Sequence, residues 1–296
     1  MKTIYSELIV FFQTVVSLLL VSFYNHKGAA IKVRSLKKDR NGRSATILAN
    51  GPSAREILTN RMDLLGNTDI LVLNYFGNTD IFFELKPSYY IMLDPVLFNY
   101  DFRNPGLNED PNDDGRIIGM QLMENFKKVN WKMTLFAPAN FCNKKFKSYF
   151  DDNPNLRVVP FYGTRILGYN WFRNYMYRRA QGVPSSRNVI IPALLLMILA
   201  GYKTIYLYGC EFSWTKTMDV DPDNGRMFFN DSHFYNKDEI RYFGKGAYLW
   251  WLKAISEMLE GVEKIALFAN TRGVHIVNRT KGSFIDAFDY ENPDTI

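Results

Sequence analysis

The sequence predicts an α/β fold with a doubly wound, mostly parallel sheet, a small helical lid lobe and a separate N-terminal helix. Three observations carry this expectation. Short apolar runs alternate with stretches of helical periodicity across residues 44–296, the pattern of parallel βαβ units. The first of these runs ends in the turn Asn50-Gly51-Pro52-Ser53 and leads into a helical pattern. Ahead of them, residues 8–23 read LIVFFQTVVSLLLVSF without a single charge.

Residues 1–26 form the first segment. Its uncharged stretch covers sixteen residues, short of the roughly 20 that a spanning helix wants. Basic residues follow it rather than precede it, the reverse of a secretory signal. Residues 27–43 are a basic linker, in which Lys27, Lys32, Arg34, Lys37, Lys38, Arg40 and Arg43 stand against the single acid Asp39. Such a pair of segments suits an anionic membrane surface, with the helix lying in the interface or barely spanning. If it spans, the basic excess behind it keeps the rest of the chain on the cytoplasmic side. The alternative is a helix packed on the protein or on a second subunit, so a homo-oligomer stays open.

From residue 44 on, the expected strands are 45–49, 70–73, 89–93, 133–136, 156–159, 204–207 and 264–268, with an eighth at 273–277. Helical patterns begin near Ala54, at 143–150, at 192–200 where Gly201 closes the run, and at 248–259. Residues 99–115, rich in Asn, Asp, Pro and Gly, read as a loop. Residues 213–237 separate a strand from a helix and are too long for a plain connection, so they read as a lid or active-site loop. Residues 162–186, rich in aromatics and arginine, are expected to form the small helical lobe over the site. The whole of 44–296 reads as one Rossmann-like domain, with its ligand outside the carboxyl ends of the strands.

Composition narrows the partners. With 296 residues and 47% hydrophobic content, one large core is available and a disordered chain is excluded. The net charge of +6 sits largely in the linker, and no basic–aromatic motif of a nucleic-acid module is present, so nucleic acid is not an expected partner. Aromatic residues at 16% suit a sugar-binding cleft as well as a core. Two cysteines, Cys142 and Cys210, make no disulfide framework and fit a reducing, cytoplasmic setting.

Four stretches carry chemistry. In Asn50-Gly51-Pro52-Ser53 the glycine permits a sharp turn, the proline sets the helix approach, and Ser53 with the free amides can cap the helix or face an anion. An ordinary β–α turn has the same outline. Asn74 closes the second strand, where an amide reads both donors and acceptors of a ribose, base or phosphate, or caps a loop. Gly209-Cys210-Glu211 follows the sixth strand, and Glu211 fits a ribose hydroxyl, a base edge or an arginine such as Arg187. Asn230-Asp231-Ser232-His233 places an imidazole in a polar loop, where it can take a proton from a hydroxyl, with Asp231 to orient it. His275, inside a strand, reads as a satisfied core residue. No zinc spacing and no nucleophile elbow is present. Asp219-Val220-Asp221-Pro222-Asp223 resembles half a calcium loop, but its glycine comes one place late and Asn230 stands where a closing Glu belongs.

In order, these pieces resemble the bacterial sialyltransferases of glycosyltransferase family 42. The likeness lies in the Asn-Gly-Pro-Ser turn, Asn74, Leu93-Asp94-Pro95, the run from Asn188 to Phe212 with Ala200-Gly201-Tyr202-Lys203, and Asn230-Asp231-Ser232-His233-Phe234. The resemblance implies a single-domain GT-A variant and an inverting, metal-independent transfer from a CMP-activated sugar, sialic acid or a relative, to a surface glycan or lipid-linked acceptor. It implies no further cofactor. His233 would be the general base, and Asn50, Gly51, Ser53, Asn74, Asn188, Gly209 and Glu211 would line the nucleotide site, at the cytoplasmic face of the bacterial inner membrane. The chain departs from the family in carrying Glu211 for Asp. It also lacks the two tyrosines that bond the leaving phosphate, with Tyr235, Tyr242, Lys216 and Arg226 as substitutes. The tail from His275 to Ser283 is similar to related Rossmann-like proteins, among them flagellin-modifying transferases and a pterin pyrophosphokinase-like domain. The alternatives are therefore another nucleotide sugar, an ATP/Mg²⁺ pyrophosphokinase-like enzyme with Asp94 and Glu211 as its acids, and a non-catalytic membrane scaffold.

Overall fold

The computed structural model describes residues 2–25, 28–36, 43–98, 114–235 and 239–296. The chain begins with α1 (Lys2–Tyr24) and α2 (Ala29–Arg34), then enters the sheet at β1 (Ser44–Leu48). There follow α3 (Ala54–Asn60), β2 (Thr68–Leu73), α4 (Ile81–Leu85), β3 (Tyr89–Ile91), α5 (Asp114–Lys127), β4 (Met133–Pro138), α6 (Lys144–Ser148) and β5 (Leu156–Phe161). The second half holds α7 (Asn170–Arg178), α8 (Ile190–Ala200), β6 (Thr204–Tyr208), β7 (Asp219–Val220), β8 (Met227–Asp231), β9 (Glu239–Tyr242), α9 (Ala247–Thr271), β10 (His275–Asn278) and β11 (Asp289–Tyr290).

Eight strands form one sheet in the order β11-β10-β6-β1-β2-β3-β4-β5, and every pairing in it is parallel. The chain therefore builds outward from β1 through β5, returns to the other side of β1 with β6, and builds outward again. The order reverses between β1 and β6, which is where a doubly wound sheet opens a crevice. This is an α/β architecture consistent with a Rossmann-like fold.

The strand alternation sorts side chains into two cores. Ala45, Ile47, Leu71, Ile205 and Leu207 face α2, α7, α8 and α9, while Leu48, Val72, Tyr90, Leu135 and Tyr208 face α3, α4, α5 and α6. Both faces are covered, which explains why the strands read as continuous apolar runs. Helix α8 is apolar on all sides because it is buried almost throughout. Gly201, with φ +100°, ends it as expected.

Two expectations are corrected and a third is refined. Residues 264–268 are not a strand but the last turns of α9. The buried positions Ile255, Met258, Val262, Ile265, Phe268 and Ala269 form one stripe at helical spacing that runs straight through them. Gly261 does not break this helix, because a Cβ there would meet Ile191 Cδ1 at 2.7 Å and its bare backbone is a contact with α8. Within residues 213–237, expected as a lid or active-site loop, β7 and β8 pair with β9 in a small antiparallel sheet. Its turn is tied by the Asp221 carboxylate, which accepts from the amides of Asp223 (2.9 Å) and Asn224 (3.4 Å). The Asp223 amide holds Asp221 below the usual carboxylate range. The half-calcium sequence is thus a hairpin turn on the surface. His275 does lie in a strand, but its ring is exposed, and Nε2 pairs with Asp289 Oδ2 at 2.7 Å across β10 and β11. Most of the expected loop at 99–115 lies outside the described residues.

The helical reading of residues 264–268 makes a stability prediction. Phe268 is fully buried whereas Leu267 is exposed. Phe268→Ala should cost about 3–5 kcal/mol in urea unfolding, and Leu267→Ala no more than about 0.5 kcal/mol. Equal costs would mean that the helix is turned the wrong way.

Candidate functional site

The pairing of β1 and β6 continues past the ends of the two strands. Beyond the ladder, the Ala49 amide donates to Tyr208 O (2.8 Å) and the Gly51 amide to Gly209 O (3.0 Å). Gly209 has φ +68°, and a Cβ on it would come within 2.6 Å of Ala49 O. Gly51 is constrained still harder. A Cβ there would sit 1.6 Å from Glu211 Oε2, so the carboxylate occupies the space that a side chain would fill. The other oxygen, Glu211 Oε1, accepts from the Ser53 amide at 2.7 Å.

This changes the expected role of the turn. Ser53 was expected to cap the helix and, with its neighbours, to hold an anion. Its backbone is already helical (φ −66°), its side chain makes no capping bond, and its Oγ is buried without a partner. The free amide at the head of α3 is taken by the chain's own carboxylate. A negative group there satisfies the helix end and leaves a phosphate no reason to approach it.

In front of this junction lies a cleft of about 410 Å³, within the range of roughly 300–1,000 Å³ common for small-molecule sites. Asn50, Gly51, Asn74, Asn188, Gly209, Glu211 and His233 all line it, and Ser53 does not. The strand ends supply the first of these at the switch point, while Asn188 arrives from the start of α8. Residues 162–186 contribute nothing to the lining. They meet α1 instead, so the expected lobe does not sit over this cleft.

The asparagines have distinct tasks. Asn50 Nδ2 donates to Leu73 O (3.2 Å), tying β1 to β2, and its Oδ1 is buried with no partner. Asn74 sits at φ +47°, a conformation asparagine tolerates better than most residues. Its Oδ1 accepts from the amides of Leu93 (2.9 Å) and Asp94 (3.3 Å), holding the end of β3. Asn188 Oδ1 accepts from the Ile190 amide at 2.9 Å and so caps α8. Asp94 is buttressed in turn, since Tyr75 OH donates to its Oδ2 at 2.7 Å. Burial, and then the adjacent Asp94 carboxylate, push the Tyr75 phenol well above its ordinary range, so it stays protonated and donating.

His233 reaches the cleft from the segment after β8. The Phe234 amide donates to Asn50 O (3.0 Å), and Arg55 Nε donates to Phe234 O (2.9 Å). The Phe234 ring also packs on Phe76, with centroids 5.3 Å apart. The histidine is therefore clamped to the same turn that carries Asn50. Its Nδ1 lies 3.0 Å from Ser232 O. A carbonyl only accepts, so Nδ1 carries the proton and Nε2 holds the basic lone pair. The Asp231 side chain, expected to orient the ring, lies outside the described residues.

Lys216 is the only lysine or arginine among the described lining residues. Its Nζ donates to Gly282 O at 3.0 Å. Of the four groups expected to replace the missing tyrosines, it alone lines the cleft. Tyr242 and Arg226 stack together on the outer hairpin, and Tyr235 lies behind His233. Asn230 adds a second buried oxygen with no partner, Oδ1. Among the described residues, no group of three or more His, Cys, Asp or Glu comes together for a metal ion.

Sequence reasoning missed Arg55 and the tail. A cation in the first turn of α3 opposes the helix dipole, and that was the available signal that Arg55 serves something else. The tail works through main-chain contacts. The Phe284 amide donates to Glu211 O (2.7 Å), Ser283 Oγ to Cys210 O (2.7 Å), and the Cys210 amide to Thr280 Oγ1 (3.1 Å). Cys210 itself is a buried thiol, and that burial, with Glu211 nearby, raises its pKa well above the ordinary value.

No protein-family model matches this chain, and no curated protein does either.

The Gly51–Glu211 contact is testable by a double-mutant cycle. Gly51→Ala should lose about 1–3 kcal/mol of stability by overpacking. In the Glu211→Ala background the same change should cost at least about 0.5 kcal/mol less, the signature of contacting residues. Additive losses in urea unfolding would show that the two do not touch.

Proposed function

We propose that this chain is a nucleotide-sugar glycosyltransferase: a GT-A-like, metal-independent, inverting enzyme. It would transfer sialic acid or a related sugar from a CMP-activated donor to a cell-surface glycan or lipid-linked acceptor. The observation that carries the reading is the convergence of Asn50, Asn74, Asn188, Glu211 and His233 on one cleft at the sheet's reversal point. These residues are spread over more than 180 positions of sequence, from Asn50 to His233.

The chemistry of the lining supports a donor-rich ligand. Asn50 Oδ1 and Asn230 Oδ1 are buried acceptors without partners, and Glu211 adds a carboxylate. Ribose hydroxyls and the exocyclic amine of cytosine are groups of the matching kind, and leaving such acceptors empty is costly. The phosphate belongs with Lys216, the one lysine or arginine among the described lining residues, rather than against the Glu211 carboxylate. Lys216 would then neutralise the leaving phosphate in place of the family's tyrosines.

His233 acts as the general base in this reading. With Nδ1 donating to Ser232 O, Nε2 takes the proton of the acceptor hydroxyl as that oxygen attacks the anomeric carbon and the bond to the CMP phosphate breaks. Positioning by the clamped turn supplies much of the remaining rate enhancement. An acceptor held in a membrane fits the exposed Tyr248, Leu249 and Trp250 at the head of α9. The next residue, Trp251, packs towards Trp214 in the cleft wall. The cytoplasmic face of the inner membrane is the corresponding location.

A thermal-shift panel of CMP, CDP, UDP, GDP and ATP, each with and without EDTA, tests the donor. CMP should give the largest shift, unchanged by EDTA, amounting to about 2.7 kcal/mol at a hundredfold excess over Kd. A shift with ATP and Mg²⁺ but none with CMP would replace the reading with a pyrophosphokinase-like one. For the base, His233→Ala should lower transfer by about 10²–10⁴-fold while keeping the CMP shift. A mutant with full activity would remove His233 from catalysis.

A further inference from the structure

Helix α1 is apolar and of membrane-spanning length, with residues Ile4–Tyr24 almost wholly unburied. At 1.5 Å per residue those 21 residues measure about 32 Å. Length and composition alone leave two arrangements, a span across the bilayer or a helix lying along it. The contacts of α1 with the rest of the chain distinguish them.

One stripe of α1 is turned inward, formed by Val10, Gln13, Thr14, Ser17, Val21 and, just past its end, Asn25. The spacing of three and four marks a single face. That face is largely polar, and it is satisfied by the segment between β5 and α8. Thr14 Oγ1 accepts from the Tyr169 amide (3.1 Å). Ser17 Oγ accepts from the Leu167 amide (2.8 Å) and donates to Leu167 O (3.2 Å). Asn25 Nδ2 donates to Gln181 O (2.7 Å), and Tyr162 OH donates to Asn25 O (2.9 Å). Towards the other end, Tyr169 OH donates to Glu7 Oε2 (3.3 Å). Gly168 brings the two backbones together, since a Cβ on it would lie 2.7 Å from Thr14 Cα.

The helix is therefore fastened to the domain from Glu7 through its middle to Asn25. A spanning α1 would carry Thr14 and Ser17 to the centre of the bilayer. The attached segment would have to follow, taking Arg165, Arg173, Arg178 and Arg179 with it. Arginines in hydrocarbon cost at least about 2.5 kcal/mol each at the centre of the membrane. The opposite face of α1 is apolar and exposed, as at Tyr5, Leu8, Phe12, Val16, Leu19 and Phe23. Beside it, α7 exposes Trp171 and Tyr175, with Arg178 and Arg179 also exposed. Trp171 stacks on Tyr169, at 6.4 Å between centroids, where that residue meets α1. Aromatic and arginine side chains bordering an apolar face are the composition of a membrane–water interface.

We infer that α1 is a monotopic anchor. It lies in the plane of one leaflet, with its polar stripe on the domain and its apolar face in the lipid, and α7 rests at headgroup level. The occupant of this face is a bilayer with anionic headgroups. The charge argument is local, since Arg178 and Arg179 close α7 and Lys32 and Arg34 follow α1 in α2. A helix about 10 Å thick fits within one leaflet, about half of the roughly 30 Å hydrocarbon core. This arrangement is independent of what the cleft transfers.

The experiment uses the full chain in sealed vesicles and a membrane-impermeant maleimide. Native Cys142 and Cys210 are buried and serve as the unlabelled background. Lys2→Cys and Ser35→Cys, at the start of α1 and beyond its end, should label from the same side of the bilayer and to within about twofold of each other. Labelling of the two from opposite sides would establish a span and overturn the inference. A second measurement separates lipid from a second copy. Phe12→Ser, Val16→Ser and Leu19→Ser should each weaken flotation with phosphatidylglycerol-containing vesicles by about tenfold, the effect of losing one buried apolar side chain. Unchanged flotation, with conversion of a dimer to a monomer, would assign the face to a partner copy instead.

Discussion

The contact between the Glu211 carboxylate and the Asn50–Ser53 turn organises the candidate site. It sits where the sheet reverses direction, joins the first strand to the sixth, and requires glycine at 51. Several of the residues that line the cleft are placed from it. Asn50 leaves the turn to tie β2 through Leu73 O, Asn74 carries the tie on to β3, and Phe234 hangs the histidine segment on Asn50 O. The tail closes the other side through Phe284 and Glu211 O. A carboxylate on the head of α3 satisfies that helix internally, so the negative end of any ligand is directed away from the turn rather than into it.

Two polar satisfactions of opposite kinds shape the rest of the molecule. In the cleft, buried acceptors are left without partners, at Asn50 and Asn230, and such groups are rare unless a ligand or water completes them. Along α1 the reverse holds, with the polar groups of an apolar helix paired by the domain and its apolar groups left outside. A globular domain ordinarily buries the apolar stripe of a helix. The inversion at α1 has a physical cause if the medium outside is lipid, because there the apolar face is solvated and the polar stripe must find its partners in protein.

Much of the fold was legible because a parallel sheet covered on both faces leaves short apolar runs between helices. The runs at β1, β2, β4, β5 and β6 were each located to within two residues of their ends. The misreadings have separate local reasons. Residues 264–268, KIALF, have the composition of a strand, and only the helical stripe reaching back to Ala254 reveals their real partners in α8. The strands within residues 213–237 went unread because they belong to a small sheet with exposed positions, and exposed strands carry little apolar signal. In the site, Asn50, Asn74 and Glu211 were legible because they end strands. The role of Ser53 was misjudged because nothing local says that its amide is already occupied.

The sequence by itself determined the α/β class, the order of most strands along the chain, the polar residues at their carboxyl ends, and the presence of an apolar helix beside a basic linker. These follow from periodicity and from turn chemistry, which are local. The tertiary structure alone decided which strand lies beside β1, that Glu211 rather than a ligand holds the turn, that Arg55 and the tail support the cleft, and which face of α1 turns outward. Those outcomes depend on contacts such as Ser53 with Glu211 and Ser17 with Leu167, between residues 158 and 150 positions apart. Spacing along a chain carries no information about such pairs until the sheet brings them together.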